Sequence, residues 1–231
     1  MNYVIWNNKD SRNMKGLLIC ELPPITKPQM RVKETVIDGV DGSVIEELGY
    51  ESYDKTILVG LKIGADVDAI SEYFTGNGEI IFSNEADKYY KARIIKGIDY
   101  ARLSRYRTAK VTFRVQPFKY DADEIEVYNY GNGQEVTANN IGNHTAKPLI
   151  TIKGTGTIDL RLNGNTICRY VFPDGEDTVY LDSEKQDAYL GNVLKNRNMT
   201  GDFPVFGKGT NVITWSGTIE KLSVRHYSRW L

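Results

Sequence analysis

Two histidines, His144 and His226, are the only imidazoles in the 231 residues. Neither has a cysteine or a second histidine at the spacing a zinc site requires. Asp121, Asp123 and Glu124 form an acidic run, but the central glycine and closing glutamate of a calcium loop are missing, so the run reads as a solvated turn. Gly207-Lys208-Gly209-Thr210 offers the residue types of a phosphate loop. That loop, however, places four residues between its glycines and a Ser or Thr directly after the lysine. Here five residues separate Gly201 from Gly207, and Gly209 follows Lys208. It reads as a turn. No Gly-x-Ser-x-Gly elbow occurs, and two histidines offer no clear general base. A glycosidase-type pair of carboxylates depends on a separation that only three dimensions define. The residue chemistry therefore predicts a protein that is not an enzyme and holds no cofactor or metal.

One charged stretch stands out. Arg93, Lys96, Arg102, Arg105, Arg107, Lys110 and Arg114 are opposed within it only by Asp99. One reading is the polar face of a hairpin whose other face is buried. The other is a basic projection toward a partner's acids or passing DNA, attracting phosphates without regard to sequence and in a salt-sensitive way. Arg102, Arg105 and Arg107 are expected at or near the turn between two strands, and are the candidate contact residues.

The elements that would position these groups are mostly strands. Ile57, Val59, Leu61 and Ile63 alternate as one face of a half-buried strand, as do Val111, Phe113 and Val115. The pattern returns in Ile150/Ile152, Ile158/Leu160/Leu162 and Glu220/Leu222/Val224. Turn signals separate the runs: Asp38-Gly39, Asp41-Gly42, Gly76-Asn77-Gly78, Asn163-Gly164 and Pro173-Asp174-Gly175. Short strands so punctuated predict sandwich-like sheets. Pro117 is expected to end the strand at Val115, since proline donates nothing to a ladder. One helix is predicted, capped by Asp66, with Val67, Ile70, Tyr73 and Phe74 on one stripe and Gly76 closing it. A second helical turn is expected around Tyr189 to Leu194.

The polar stretch from Gly131 to Lys147 divides the chain into residues 1–130 and 131–231. Apolar residues make up 41% and charged residues 26%, which is a folded and not a disordered balance. The formal net charge of −1 gives the chain as a whole no attraction to nucleic acid or membrane, so only a local patch could supply it. Cys20 and Cys168 each sit in an apolar run. They are expected to be buried thiols in a reducing compartment. The opening Met1-Asn2-Tyr3-Val4-Ile5-Trp6 lacks a signal peptide's basic start, and synthesis in a cytoplasm is expected.

In order along the chain, several short signatures resemble the distal tail protein (Dit) family of siphophages and its prophage relatives. In the first half they are Ser11 with Gly16-Leu17-Leu18, the Pro23-Pro24 break, Asp38-Gly39-Val40-Asp41-Gly42, and Gly49-Tyr50. The family's loop often reads proline–glycine–arginine–aspartate–glycine; Asp38 and Val40 replace its proline and arginine. Gly78-Glu79-Ile80-Ile81-Phe82-Ser83, Tyr89-Tyr90-Lys91-Ala92 and the exit Gln116-Pro117-Phe118-Lys119-Tyr120 follow. The second half carries Asn140-Ile141-Gly142-Asn143 with Pro148, Gly154-Thr155-Gly156, Asp182-Ser183-Glu184, Gly201-Asp202-Phe203-Pro204 and Arg229-Trp230.

The resemblance implies a mainly β fold, with an N-terminal sandwich-like domain bearing one short helix and a hairpin, and a C-terminal galectin-like sandwich. It further implies a homohexameric ring at the virion tail tip, linking the tail tube protein to tail-tip, fibre or receptor-binding proteins. DNA would pass through its lumen non-specifically, and no membrane would be involved. Arg102, Arg105 and Arg107 would then face the lumen or a neighbouring subunit. Arg229 would pair nearby while Trp230 buries. The rival reading is a carbohydrate-binding sandwich that attaches to a host surface. It needs exposed rings among Tyr170, Phe172, Tyr180, Tyr189 and Trp215, whereas alternation predicts that these rings are core.

Overall fold

The computed structural model describes residues 1–98, 105, 107–129 and 135–231. The expected Arg102 contact lies outside the described residues. The chain forms two compact units, Met1–Ala122 with Leu231, and Asp123–Trp230. Both are mainly β.

The first unit runs β1 (Val4–Trp6), β2 (Lys9–Asp10), β3 (Leu17–Glu21), β4 (Met30–Val36), β5 (Ser43–Tyr50), β6 (Tyr53–Leu61), helix α1 (Val67–Tyr73), β7 (Asn77–Phe82), β8 (Lys88–Ile94) and β9 (Thr108–Asp121). All but β4 and β5 join one antiparallel sheet ordered β2-β1-β7-β8-β9-β6-β3. Phe113 of β9 is wholly buried, with the rings of Trp6, Phe82 and Phe74 at 5.3, 6.0 and 6.3 Å. Two strands separate β1 from β9, a span of about 14 Å at the usual strand spacing. The Trp6 contact therefore requires the sheet to curl over its own apolar face. Helix α1 packs on that face through Ile70, Tyr73 and Phe74. The Asp66 side chain accepts the Ala69 backbone N–H at 3.0 Å, the predicted cap.

Pro117 does not end β9, which continues through it to Asp121. Pairing with β6 stops at Val115, and the β8 register shifts between Tyr90 and Ala92. The proline thus occupies a bulge where no ladder donor is required. Ile63, expected in the buried face, is exposed because β6 ends at Leu61. Cys20 is exposed on β3 at the edge of the sheet, against the expectation of burial, whereas Cys168 is buried.

The second unit runs β10 (Ile125–Asn129), β11 (Glu135–Asn140), β12 (Leu149–Leu162), β13 (Asn165–Val171), β14 (Thr178–Asp182), β15 (Asp187–Leu190), β16 (Val193–Leu194), β17 (Met199–Gly201) and β18 (Gly209–His226). Two long strands organise it. The first half of β12 pairs with β14 and with Lys221–Arg225, and its second half with β13 and with Ile213–Ser216. Register shifts between Lys153 and Gly154, and again between Thr155 and Asp159, mark the bend. Gly154 and Gly217 are needed there, because a Cβ would lie 2.4 Å from the Thr218 carbonyl oxygen or 2.3 Å from that of Thr157. The bent pair thereby contributes to two layers, whose inward residues share one core that includes Ile150, Leu160, Tyr170, Trp215 and Leu222. The shift also puts Ile219 in the core where simple alternation had placed Glu220.

The stretch from Tyr189 to Leu194, expected as a helical turn, lies in the β15–β16 hairpin instead. Arg229 is buried and donates through Nε to the Thr145 carbonyl at 2.6 Å, while Trp230 is half-buried.

Candidate assembly surface

The most unusual local structure is the β4–β5 ribbon. Every residue from Arg31 to Gly49 is exposed, although seven- and eight-residue strands pair from Met30↔Tyr50, through a register shift between Met30 and Val32, and then in register from Val32↔Glu47 to Val36↔Ser43. Residues directly opposite share a face. Val32/Glu47, Glu34/Ile45 and Val36/Ser43 therefore mark one face, and Lys33/Glu46 and Thr35/Val44 the other. Both faces carry open aliphatics: Val36 is 72% and Ile45 61% exposed, and Val44 on the opposite side is 58% exposed. Among the described residues no further strand pairs with either edge. A two-stranded ribbon without a covered face is marginal in water, and unpaired edges invite another chain.

The base of the ribbon, by contrast, is firmly held. Lys55, only 2% exposed, donates from Nζ to the Pro24 carbonyl at 3.0 Å. Asn84 Nδ2 donates to the Pro23 carbonyl at 3.0 Å, and the Tyr53 hydroxyl to that of Thr26 at 3.3 Å. The Tyr50 ring meets Phe118 edge-on at 6.0 Å. Behind Lys55, the Glu85 carboxylate accepts from the Tyr90 hydroxyl at 2.5 Å and pairs with the Lys119 ammonium. Burial pulls the Lys55 ammonium down to about 8, with Glu85 opposing and Lys119 adding to the fall. Burial likewise holds the Tyr53 hydroxyl up to about 12. These polar groups are engaged with one another and with the entry to the ribbon, which makes them an anchor.

The basic stretch is distributed over the same unit. Arg93 in β8 lies directly opposite Arg114 in β9, a pairing of like charges that opposes sheet stability unless an anion intervenes. Arg114 donates to Asp54 at 2.9 Å, and Lys96 reaches the other oxygen of that carboxylate at 2.6 Å. Arg105 and Arg107 are exposed, and the Arg107 carbonyl accepts the Leu61 N–H at 2.9 Å. Arg107 takes a left-handed φ of 60°.

The other chemical candidates resolve into structure. His226 is buried edge-on against Phe206 at 5.4 Å. Burial, then the nearby Arg229 charge, lowers the His144 pKa. Among the described residues no cluster of three or more His, Cys, Asp or Glu could hold a metal. Gly207-Lys208-Gly209 is a turn closed by Asn211, whose side chain accepts from the Gly207 N–H and donates to the Gly207 and Gly209 carbonyls.

Of the five rings considered for sugar binding, Tyr170, Phe172 and Trp215 are core. Tyr180 and Tyr189 are half-exposed, stacked at 5.4 Å, and part of a cross-strand row Tyr128–Ser223–Thr151–Tyr180–Tyr189. The ribbon itself escaped sequence reading. Its aliphatics, Val32, Val36, Val44, Ile45 and Leu48, stand adjacent or three or four residues apart within each strand and do not make the unbroken alternation that marks a half-buried strand.

No protein-family model matches the sequence, and no curated protein matches it. Among solved structures, the chain is similar to Dit (gp 19.1) of SPP1 over 100% of both chains, with a TM-score of 0.72 and 13% identity. It is also similar to a chain of the phage p2 baseplate in its activated conformation. With Sr the match covers 97% of each chain at a TM-score of 0.50 and 9% identity, and with Ca 98% of each at 0.50 and 9%. The chain thus has the fold of a Dit-like phage tail protein.

Proposed function

We propose that the chain is a structural, non-catalytic component of a phage tail tip, assembled as a homohexameric ring. The ring joins the tail tube protein to tail-tip, fibre or receptor-binding proteins, and DNA transits its lumen. The observation that carries this reading is the β4–β5 ribbon, bare on both faces and both edges yet fixed at its base. Such an element gains its apolar burial only from another molecule. The fold shared with SPP1 Dit, a protein described as a paradigm of the hub adsorption apparatus, supports the same reading. The first unit is then the ring-forming domain, the second the outer one, and both are made in the host cytoplasm before joining the virion.

Light scattering with negative-stain imaging of the full chain tests this: a closed particle of six copies is expected. A chain that stays monomeric both alone and beside its tail tube protein sinks it. Arg102, Arg105 and Arg107 are assigned to the lumen or a subunit contact. Reversing all three charges is expected to block ring formation or DNA ejection, and normal infectivity of that variant removes the assignment.

A second reading, glycan attachment by the outer unit, is favoured only by the Tyr180/Tyr189 pair on a polar sheet face. A glycan array probed with the full chain decides it. Binding lost on Tyr189→Ala supports a sugar role, and no binding on any glycan discards it.

A further inference from the structure

Along β8 and β9 the residues that alternate with the buried Ala92, Phe113 and Val115 point away from the core and wall a cavity of about 660 Å³. Arg93, Lys91, Asn77, Glu79 and Ile95 line it together with Arg114. The cross-strand register leaves one of these charges without a counter-ion. One row runs Asp54–Arg114–Arg93–Asn77 across β6, β9, β8 and β7. The Asp54 carboxylate gives one oxygen to Arg114 at 2.9 Å and the other to Lys96 at 2.6 Å. Arg114 is therefore satisfied. Arg93 is not: its cross-strand neighbours are a guanidinium and a carboxamide, and among the described residues it has no ion-pair partner. Glu79, the one acid in the cavity wall, stands opposite Lys91 instead.

The wall is built before any ligand arrives. Asn7, in the left-handed turn after β1, accepts the Glu79 N–H through Oδ1 at 3.0 Å and donates from Nδ2 to the Asn77 carbonyl at 3.3 Å. Its own N–H reaches the Glu79 carbonyl at 3.0 Å, and the Ile94 N–H is held by the Gly76 carbonyl at 3.0 Å. These bonds fix β7 beside β8, so little order remains for a ligand to impose.

We infer that this cavity receives an acidic side chain, carried on an apolar-flanked segment of an adjoining tail protein, with Arg93 as the residue that pairs with it. The inference rests on the tail-tip reading above for the existence of such a partner. A carboxylate there answers the direct opposition of Arg93 and Arg114, which weakens the free sheet. An apolar neighbour of that acid covers Ile95, 59% exposed. The lining favours a peptide over a DNA duplex. Glu79 repels a run of phosphates, Ile95 gains no burial from one, and a recess admits a single protruding side chain where the broad charged rod of a duplex stays outside.

Fluorescence anisotropy tests the docking with the full chain and a short labelled peptide that alternates glutamate and leucine. Saturable binding is expected, weakened about tenfold by Arg93→Glu. That substitution sets a carboxylate beside Arg114, so the denaturant midpoint should hold or rise and the loss is not one of folding. Lys208→Glu, the same charge change on an exposed turn of the second unit, should leave binding as it was. A peptide alternating lysine and leucine should bind the chain carrying Arg93→Glu with Lys91→Glu and not the unaltered one.

No saturable binding of the acidic peptide overturns the docking, as does binding that survives Arg93→Glu. An equal loss from Lys208→Glu marks a net-charge effect and overturns it too. So does a short DNA duplex that binds through Arg93 where the peptide does not, which makes the cavity a nucleic-acid surface. Particle formation is read separately by light scattering. Closed particles without peptide binding overturn the docking alone, and a chain that neither binds nor assembles beside its tail tube protein overturns the tail-tip reading with it.

Discussion

The β4–β5 ribbon and the β12–β18 pair are both long antiparallel registers, yet their surroundings are opposite. Along β12–β18, Ile150, Ile152, Leu160, Trp215, Leu222 and Val224 are buried in one continuous core. Along β4–β5, no residue between Arg31 and Gly49 is buried. Backbone pairing is extensive in both, with two register shifts along β12–β18 and one in β4–β5, so pairing alone is not what distinguishes a structural strand from an interaction strand. The difference lies in whether the chain supplies the second surface for the side chains. Where it does not, the sequence has left apolar residues on both faces for something else to cover.

If this contrast is right, truncating the buried pair should have the largest effect. Trp215→Ala is expected to cost about 3–5 kcal/mol, read from the denaturant midpoint of the full chain. A loss below about 1 kcal/mol would mean that the bent pair is not the support of its unit. Gly217→Ala should come next, at about 2 kcal/mol, because φ is +99° and the new Cβ meets the Thr157 carbonyl oxygen. Unchanged unfolding there would show that the bulge relaxes freely.

The anchor of the ribbon gives a smaller, pH-dependent effect. Folded Lys55 titrates at about 8 against 10.5 for the free side chain. Between those values the unfolded chain binds more protons, so stability should rise with pH, by at most about 1.4 kcal/mol per unit. Above about pH 10 the trend should reverse, since Tyr53, held up to about 12, keeps a proton that the unfolded chain releases. Lys55→Met should flatten the rising limb; a limb that survives in that variant assigns it elsewhere.

Ile45→Thr in the ribbon is expected to change unfolding of the monomer by no more than about 0.5 kcal/mol. The same variant should nevertheless lower assembly in light scattering. A large loss of monomer stability would make the ribbon an internal support and dissolve the contrast.

How much of this was legible beforehand follows from the same physics. Alternation at Ile57–Leu61, Val111–Val115 and Ile158–Leu162 found buried strands, because one covered face imposes a two-residue period. Capping chemistry found α1 from Asp66, Ile70, Tyr73 and Phe74. The bulges were invisible: Pro117 and Gly154 each change register through partners distant in sequence, and the displaced residues, Lys119 and Ile219, follow from those partners. Tyr180 and Tyr189 read as core because each stands in a short apolar run, 179–181 and 188–190, and only the choice of face separates them from the buried Val179, Leu181 and Ala188.

The amino-acid order by itself determined a mainly β chain with one capped helix, few chemically reactive groups and a basic stretch. These are consequences of local periodicity and residue type. The tertiary structure alone decided which strands acquire a second layer, that Arg93 of β8 lies beside Arg114 of β9, and that the ribbon remains uncovered. Each of these, the Arg93–Arg114 pairing on adjacent strands included, depends on which distant segments lie side by side, and no local pattern encodes that.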